Sequence, residues 1–228
     1  MSDFVDALAA APHPVIMELK PRSASGEDLF AGRSPAALVA NYEAAGAPCL
    51  SVVTGRWFGG TTDLLREVAA CTDLPVLQKD FLTNAAQLRT ARDLGASAVL
   101  LTAALLPRAA LASLVDTSLS LGLTPFVEVT SEAEVAALPA CDECVVAVNN
   151  KDIRDRERGA PDIGRSLRLL PAVRATGTPC PVSASGIDGP DVAARLLDAG
   201  FAGLLVGTGL LRSDGLDAWC RALDGHRM

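Results

Sequence analysis

Histidine is nearly missing from this sequence: His13 and His226, one near each end, are the only two. A tetrahedral zinc site would need two further ligands beside the pair Cys141 and Cys144, and none stands at a workable spacing, so this lone Cys-x-x-Cys reads as structural. Catalysis through His13 is not expected either. Six cysteines in 228 residues are too few for a disulfide framework, and Met1 to Pro14 carries no basic leader and no apolar stretch of signal-peptide length. Secretion is therefore not expected, and the cytoplasm is the expected compartment. Positive charge is also short, with 20 Lys and Arg against 27 Asp and Glu for a net −7, and no basic run. Nucleic-acid binding needs a clustered basic face, so that class of partner is not expected. Every apolar run is broken by Gly, Pro or charge well before the roughly 20 residues that span a bilayer, so no membrane partner is expected. Nor does a Gly-x-Gly-x-x-Gly turn follow the first apolar run, as a dinucleotide-binding sheet would require.

What the sequence does have is apolar residues, 50 % of the total, patterned in a repeat. A short β-branched or apolar run, a turn and a longer Ala- and Leu-rich amphipathic stretch recur as a βα unit. The runs are Val15–Lys20, Cys49–Val53, Val76–Gln78, Ala98–Leu101, Pro125–Glu128, Cys144–Val148, Pro181–Ser183 and Leu204–Val206. Ser34 before Pro35, and Thr130-Ser131 before Glu132 and Glu134, mark helix starts. Gly46, Gly95, Gly122 and Gly200 mark helix ends, where a left-handed residue is wanted. Almost wholly apolar strands separated by helices imply a parallel sheet, closed or open. Eight units with no room for a second domain favour the closed form, a single (β/α)8 TIM barrel over 1–228 with a short leading segment, 1–14.

In such a barrel the active site lies at the C-terminal ends of the strands. Read in order, those ends carry Glu18, Lys20, Lys79, Glu128, Asn149, Ser185 and Gly207-Thr208. Alternation puts Glu18 and Lys20 on one face, pointing inward, where an unpaired charge costs several kcal/mol. One reading is a structural layer of ion pairs among Glu18, Lys20, Lys79 and Glu128. The other is a partly desolvated acid/base set, in which neighbouring charges drive the groups into different roles. Asn149 adds a neutral group that can orient an oxygen. The last two strands end in Ser185-Gly186 and Gly207-Thr208-Gly209, small residues whose backbone N–H groups can approach an anion, at the place where barrels often hold phosphate.

Several segments also resemble the indole-3-glycerol phosphate synthase family in the family's own order. Glu18-Leu19-Lys20 with Ser23 and Ser25 is similar to its Glu-x-Lys-x-x-Ser-Pro-Ser opening. Trp57-Phe58-Gly59-Gly60-Thr61 is similar to Phe-Phe-Gly-Gly-Ser, and Gln78-Lys79-Asp80-Phe81 to Arg-Lys-Asp-Phe. Val127-Glu128-Val129, Val148-Asn149-Asn150-Lys151, Ser183-Ala184-Ser185-Gly186 and Val206-Gly207-Thr208 follow. The resemblance implies a carboxy-lyase that closes the ring of 1-(2-carboxyphenylamino)-1-deoxyribulose 5-phosphate with loss of carbon dioxide and water, without metal or organic cofactor. It implies that Lys79 protonates the ketone oxygen, Glu128 shuttles protons, Glu18 assists dehydration, Lys20 holds the substrate carboxylate or organises the carboxylates around it, and Asn149 orients the hydroxyl. Ser23, Ser25, Phe58, Phe81, Lys151, Ser185, Gly186, Gly207 and Thr208 would bind this phosphorylated substrate, in a monomer or homodimer.

The departures are as specific. Ala184 stands where the family has Glu, Lys151 exchanges a planar guanidinium for a point charge, Ala24 replaces Pro, and the segment before the first strand is short. They keep open a paralogue acting on another phosphorylated substrate, and a non-catalytic barrel that binds phosphate ligands or a partner protein.

Overall fold

A computed structural model describes residues 2–152, 159–213 and 215–227. Its eight strands are β1 (Val15–Leu19), β2 (Cys49–Val53), β3 (Val76–Lys79), β4 (Ala98–Thr102), β5 (Thr124–Val129), β6 (Val145–Asn149), β7 (Cys180–Ala184) and β8 (Gly203–Val206). Each pairs in parallel with the next, and β8 pairs with β1, so the sheet closes into a barrel. The open alternative is excluded. Strands β3 to β7 each end one residue beyond the expected apolar run, while β1 stops one short, at Leu19; two of the extensions carry candidate site residues, Lys79 in the β3 ladder opposite Val53 and Asn149 in the β6 ladder opposite Ala184. Both side chains are therefore held by sheet geometry rather than by loops.

The helices are α1 (Asp3–Ala10), α2 (Pro35–Ala44), α3 (Thr62–Ala69), α4 (Ala85–Asp93), α5 (Arg108–Ser120), α6 (Glu132–Ala136), α7 (Ile163–Ala175), α8 (Pro190–Ala199), α9 (Thr208–Leu211) and α10 (Leu216–Arg227). Their starts follow the expected chemistry. The Ser34 hydroxyl accepts from the Ala37 N–H ahead of Pro35, and Ser131 caps α6 through the Glu134 N–H. None of the helices among the described residues is long and apolar enough to cross a membrane.

Alternation along the strands sorts the buried side chains into two cores. Val15, Met17 and Leu19 face outward and pack with Leu38, Tyr42 and the other helix residues. Ile16, Leu77, Leu100, Phe126, Ala147 and Leu205 face inward and fill the barrel. Helix α1 seals one end of that interior: Phe4, Val5 and Leu8 join the inner core, and the Phe4 ring meets Phe126 edge-on at 6.4 Å. The Cys49 thiol donates to the Phe4 carbonyl, and Leu8 rests against Gly203. Since Cys49 and Gly203 open their strands, α1 plugs the N-terminal end of the barrel. His13, with Nδ1 3.3 Å from Asp224, sits just before β1 at that same end. The side chain of His226 lies outside the described residues.

Candidate active site

The inward-facing positions one step above the apolar interior form a tier of different composition. Two residues beyond Ile16, Cys49, Leu77, Leu100, Phe126, Ala147, Val182 and Leu205 come Glu18, Ser51, Lys79, Thr102, Glu128, Asn149, Ala184 and Gly207. Six of the eight are polar or charged, at the C-terminal end where the barrel opens. Glu18, Glu128 and Asn149 are buried, at 4 %, 2 % and 0 % exposure. Burial of this kind removes water that would otherwise compete for each charge.

The Lys79 ammonium lies 4.0 Å from Glu18 Oε2, which also accepts from the Ser51 hydroxyl at 3.3 Å. At an effective dielectric near 20 such a separation is worth roughly 4 kcal/mol, similar to the desolvation it must offset. The intact pair therefore gives the fold little net stability. Below it, Tyr42 reaches from α2 and donates to the Glu18 carbonyl at 3.1 Å. Burial, and then the Glu18 charge, push the Tyr42 phenol well above its ordinary pKa and keep it a donor. Gly207 gives the carboxylate its room, for a Cβ there would stand 2.5 Å from Glu18 Oε1.

Above the tier opens a cup of about 150 Å³, lined by Glu18, Lys20, Lys79, Lys151, Ser185, Gly186, Gly207 and Thr208, together with Asp188 and Arg212. Four cationic side chains face two carboxylates in this lining, in a protein whose net charge is −7. The cup thus carries the opposite sign to the molecule as a whole. Gly209 lets its two small-residue loops meet, because a Cβ there would stand 2.7 Å from the Ile187 carbonyl. Ser185 holds a left-handed φ of +69°, rare for a residue with a side chain and a form of strain that concentrates at functional sites.

The remaining expected site residues divide. Glu128 and Asn149 share the tier but do not line the cup. The Lys20 ammonium lies 4.0 Å over the Phe58 ring, which joins that aromatic to the cup's edge. Phe81 instead meets the exposed Trp57 in a tilted ring contact, centroids 5.5 Å apart, beside a separate groove. Ser23 and Ser25 bond to each other at 2.8 Å and shape their own loop rather than line the cup. That loop is tied across to the far side of the mouth by Arg33, which donates to the Leu211 carbonyl, and by a Glu27–Arg212 ion pair. The arginine's hydrogen bond lowers the Glu27 pKa.

Several contributors carry no local signal. Tyr42 touches Glu18 across 24 residues, and Thr54 links the Gln78 amide to the Asp80 carboxylate, which in turn accepts from the Phe81 N–H. Asn150, adjacent to Asn149, faces away from the cup into a buried hydroxyl cluster on α7 and β7. Cys141 and Cys144 are buried, the Cys144 N–H donating to the Cys141 carbonyl and the Cys141 thiol to the Pro139 carbonyl, and no metal-binding group of His, Cys, Asp or Glu occurs among the described residues.

The chain is similar to known proteins over most of its length. The family model for indole-3-glycerol phosphate synthase matches residues 1–223. An indole-3-glycerol phosphate synthase of Kineococcus radiotolerans is 39 % identical over 203 residues, covering 88 % of this chain and 72 % of that one. Indole-3-glycerol phosphate synthase 1 of Streptomyces coelicolor is 40 % identical over 210 residues, covering 92 % and 76 %. Among solved structures, 3-hexulose-6-phosphate synthase from Salmonella typhimurium superposes with a TM-score of 0.69 at 13 % identity, over 93 % of this chain and 97 % of that one, a likeness of fold alone. With a family match over nearly its whole length and relatives near 40 % identity, the chain belongs to the indole-3-glycerol phosphate synthase family of carboxy-lyases.

Proposed function

We propose that the cup closes the indole ring of 1-(2-carboxyphenylamino)-1-deoxyribulose 5-phosphate, releasing carbon dioxide and water. One observation carries this reading to these residues: a cup with a cationic excess, in an acidic protein, places Lys79 against Glu18 on one side and two small-residue loops on the other. A substrate bearing a phosphate at one end and a carboxylate at the other matches that charge pattern. In the proposed sequence the aryl carbon attacks the ketone, and Lys79 delivers a proton to the ketone oxygen as it becomes a hydroxyl. The carboxylate leaves as carbon dioxide and its bonding pair restores ring electron density. Glu18 then protonates the departing hydroxyl, Glu128 takes the proton released as the double bond forms, and water leaves. Lys20 and Lys151 hold the carboxylate end, Asn149 steadies the hydroxyl, and Ser185, Gly186, Gly207 and Thr208 take the phosphate. The proposed compartment is the cytoplasm, where the six free thiols stay reduced.

The direct test is turnover: purified protein and this substrate should yield carbon dioxide and an indole chromophore in equal amounts. A second reading, a different phosphorylated substrate, is favoured by Ala184, whose methyl occupies an inward tier position beside Asn149. Binding of the carboxyphenyl compound without turnover, with turnover gained in Ala184→Glu, selects that second reading.

A further inference from the structure

We infer that Asn150 is a positioning residue that aims the Gly186 N–H into the cup, an inference that rests on the proposed phosphate end of the site. Asn150 is fully buried, as are Ser166 on α7 and Ser183 on β7. Its Nδ2 donates to Ser183 Oγ and to the Ser185 carbonyl, both at 3.1 Å, and the Ser166 hydroxyl donates to its Oδ1 at 2.8 Å. Ser166 and Ser183 are themselves 2.7 Å apart.

Counting protons fixes the direction of every bond. Each hydroxyl has one hydrogen. Ser166 uses its hydrogen on Asn150 Oδ1, so the bond between the two serines must be donated by Ser183. The amide N–H to Ser183, the Ser183 hydroxyl to Ser166 and the Ser166 hydroxyl back to the amide oxygen form a closed one-way ring. A flipped amide would close the same ring in the opposite sense, but it would set Oδ1 against the Ser185 carbonyl, which only accepts, so that carbonyl selects the orientation with Nδ2 on its side. Its second N–H then has one destination, the Ser185 carbonyl. Main-chain bonds from Asn150 N to Ala184 O at 2.9 Å, and from Asp162 N to Asn150 O at 2.8 Å, fix the backbone of Asn150 as well.

The consequence lies in the next peptide. The carbonyl of Ser185 and the N–H of Gly186 belong to one planar trans unit and point in opposite directions, and no cis bond occurs among the described residues. With the carbonyl drawn back toward the buried ring, the N–H is turned outward, and Gly186 lines the cup. Ser185 and Gly186 both hold left-handed φ values, +69° and +70°. That conformation is unfavourable for serine, and the Asn150 bond supplies a reason for it to persist. Asn149 and Asn150 thus divide the work of one dipeptide: the first faces the barrel interior, and the second holds the anion loop from behind.

The experiment compares wild type with Asn150→Ala and Asn150→Asp, measuring kcat, KM and inhibition by inorganic phosphate. The aspartate variant is nearly isosteric but sets an oxygen against the Ser185 carbonyl. KM and the phosphate inhibition constant should both rise by about tenfold or more in each variant, with kcat changing far less, and activity on the dephosphorylated substrate should be unaltered. Ser166→Ala, which opens the ring but leaves the Asn150 amide in place, should give the same pattern more weakly and covers the case in which an Asn150 variant does not fold. A fall in active fraction or kcat with KM and phosphate inhibition unchanged, in any variant that folds, would overturn the inference and leave Asn150 a structural residue. Failure of inorganic phosphate to inhibit the wild type at all would instead overturn the phosphate end of the site itself.

Discussion

The two ends of the barrel are built from the same strands, two residues apart, yet they obey different rules. At the N-terminal end the inward positions are apolar or small apart from Thr124, whose hydroxyl donates to Ser2, α1 closes the opening with Phe4, Val5 and Leu8, and hydrophobic burial stabilises the fold. At the C-terminal end the same alternation delivers Glu18, Ser51, Lys79, Thr102, Glu128 and Asn149, and the backbone is held at Ser185 in a disfavoured conformation. On the proposed reading, changes at one end should cost stability and changes at the other should cost chemistry. The difference teaches that a single period-two pattern can carry both tasks if they are separated by one tier along the strand.

The largest effect that would test this division is at the plug. Phe126→Ala removes a fully buried ring and its edge-on contact with Phe4. It should cost about 3–5 kcal/mol of unfolding free energy and lower Tm by on the order of 10 °C. Turnover at 25 °C should stay within about twofold of wild type; a large loss of kcat in folded protein would mean that the two ends are not separable. A smaller effect is expected at the junction of the two regimes. Gly207→Ala forces a methyl against the Glu18 carboxylate, and should cost about 1–3 kcal/mol of stability while lowering kcat. Stability and turnover both unchanged would show that Glu18 is not held where its packing implies.

The smallest effect concerns the thiols. Burial pushes Cys49 and Cys180, at the plugged end, up to about 12, whereas Cys71 is exposed. A maleimide reagent at pH 8 should modify Cys71 rapidly and the plugged-end thiols only on unfolding; mass spectrometry of the modified peptides reads this directly. The same shift has a sign for stability. The unfolded chain's thiols ionise near 8.5 and the folded ones only near 12, so the folded state binds more protons between those values. Stability is accordingly retained below about pH 8.5 and falls as pH rises toward 12.

Much of this was legible in the sequence, and the reasons are local. The eight apolar runs, the Ser34-Pro35 start and the glycines after helices report chemistry that neighbouring residues settle. Gly46, Gly95, Gly122 and Gly200 all take positive φ. The charges at the strand ends were legible because alternation and barrel closure together fix which way they point. The role of α1 was not, since the opening that Phe4 and Leu8 fill exists only once β8 has paired with β1. Tyr42 meets Glu18 from the helix that follows β1, 24 residues on, and Asn150 meets Ser166 and Ser183 across 16 and 33 residues. No local pattern marks such partners, which become neighbours only when helices pack back on their strands and adjacent strands pair.

The central claim is that the mouth performs chemistry which the fold does not need, and Lys79→Met tests it most directly. Measured side by side, kcat per folded molecule at 25 °C should fall by roughly 10²-fold or more, the scale for removing a positioned general acid, while unfolding stability falls only by the roughly 3–5 kcal/mol that leaving Glu18 buried without its cation costs and the protein stays folded at the assay temperature. A variant that keeps wild-type kcat, or one whose lost turnover is matched by the unfolded fraction, would contradict the account.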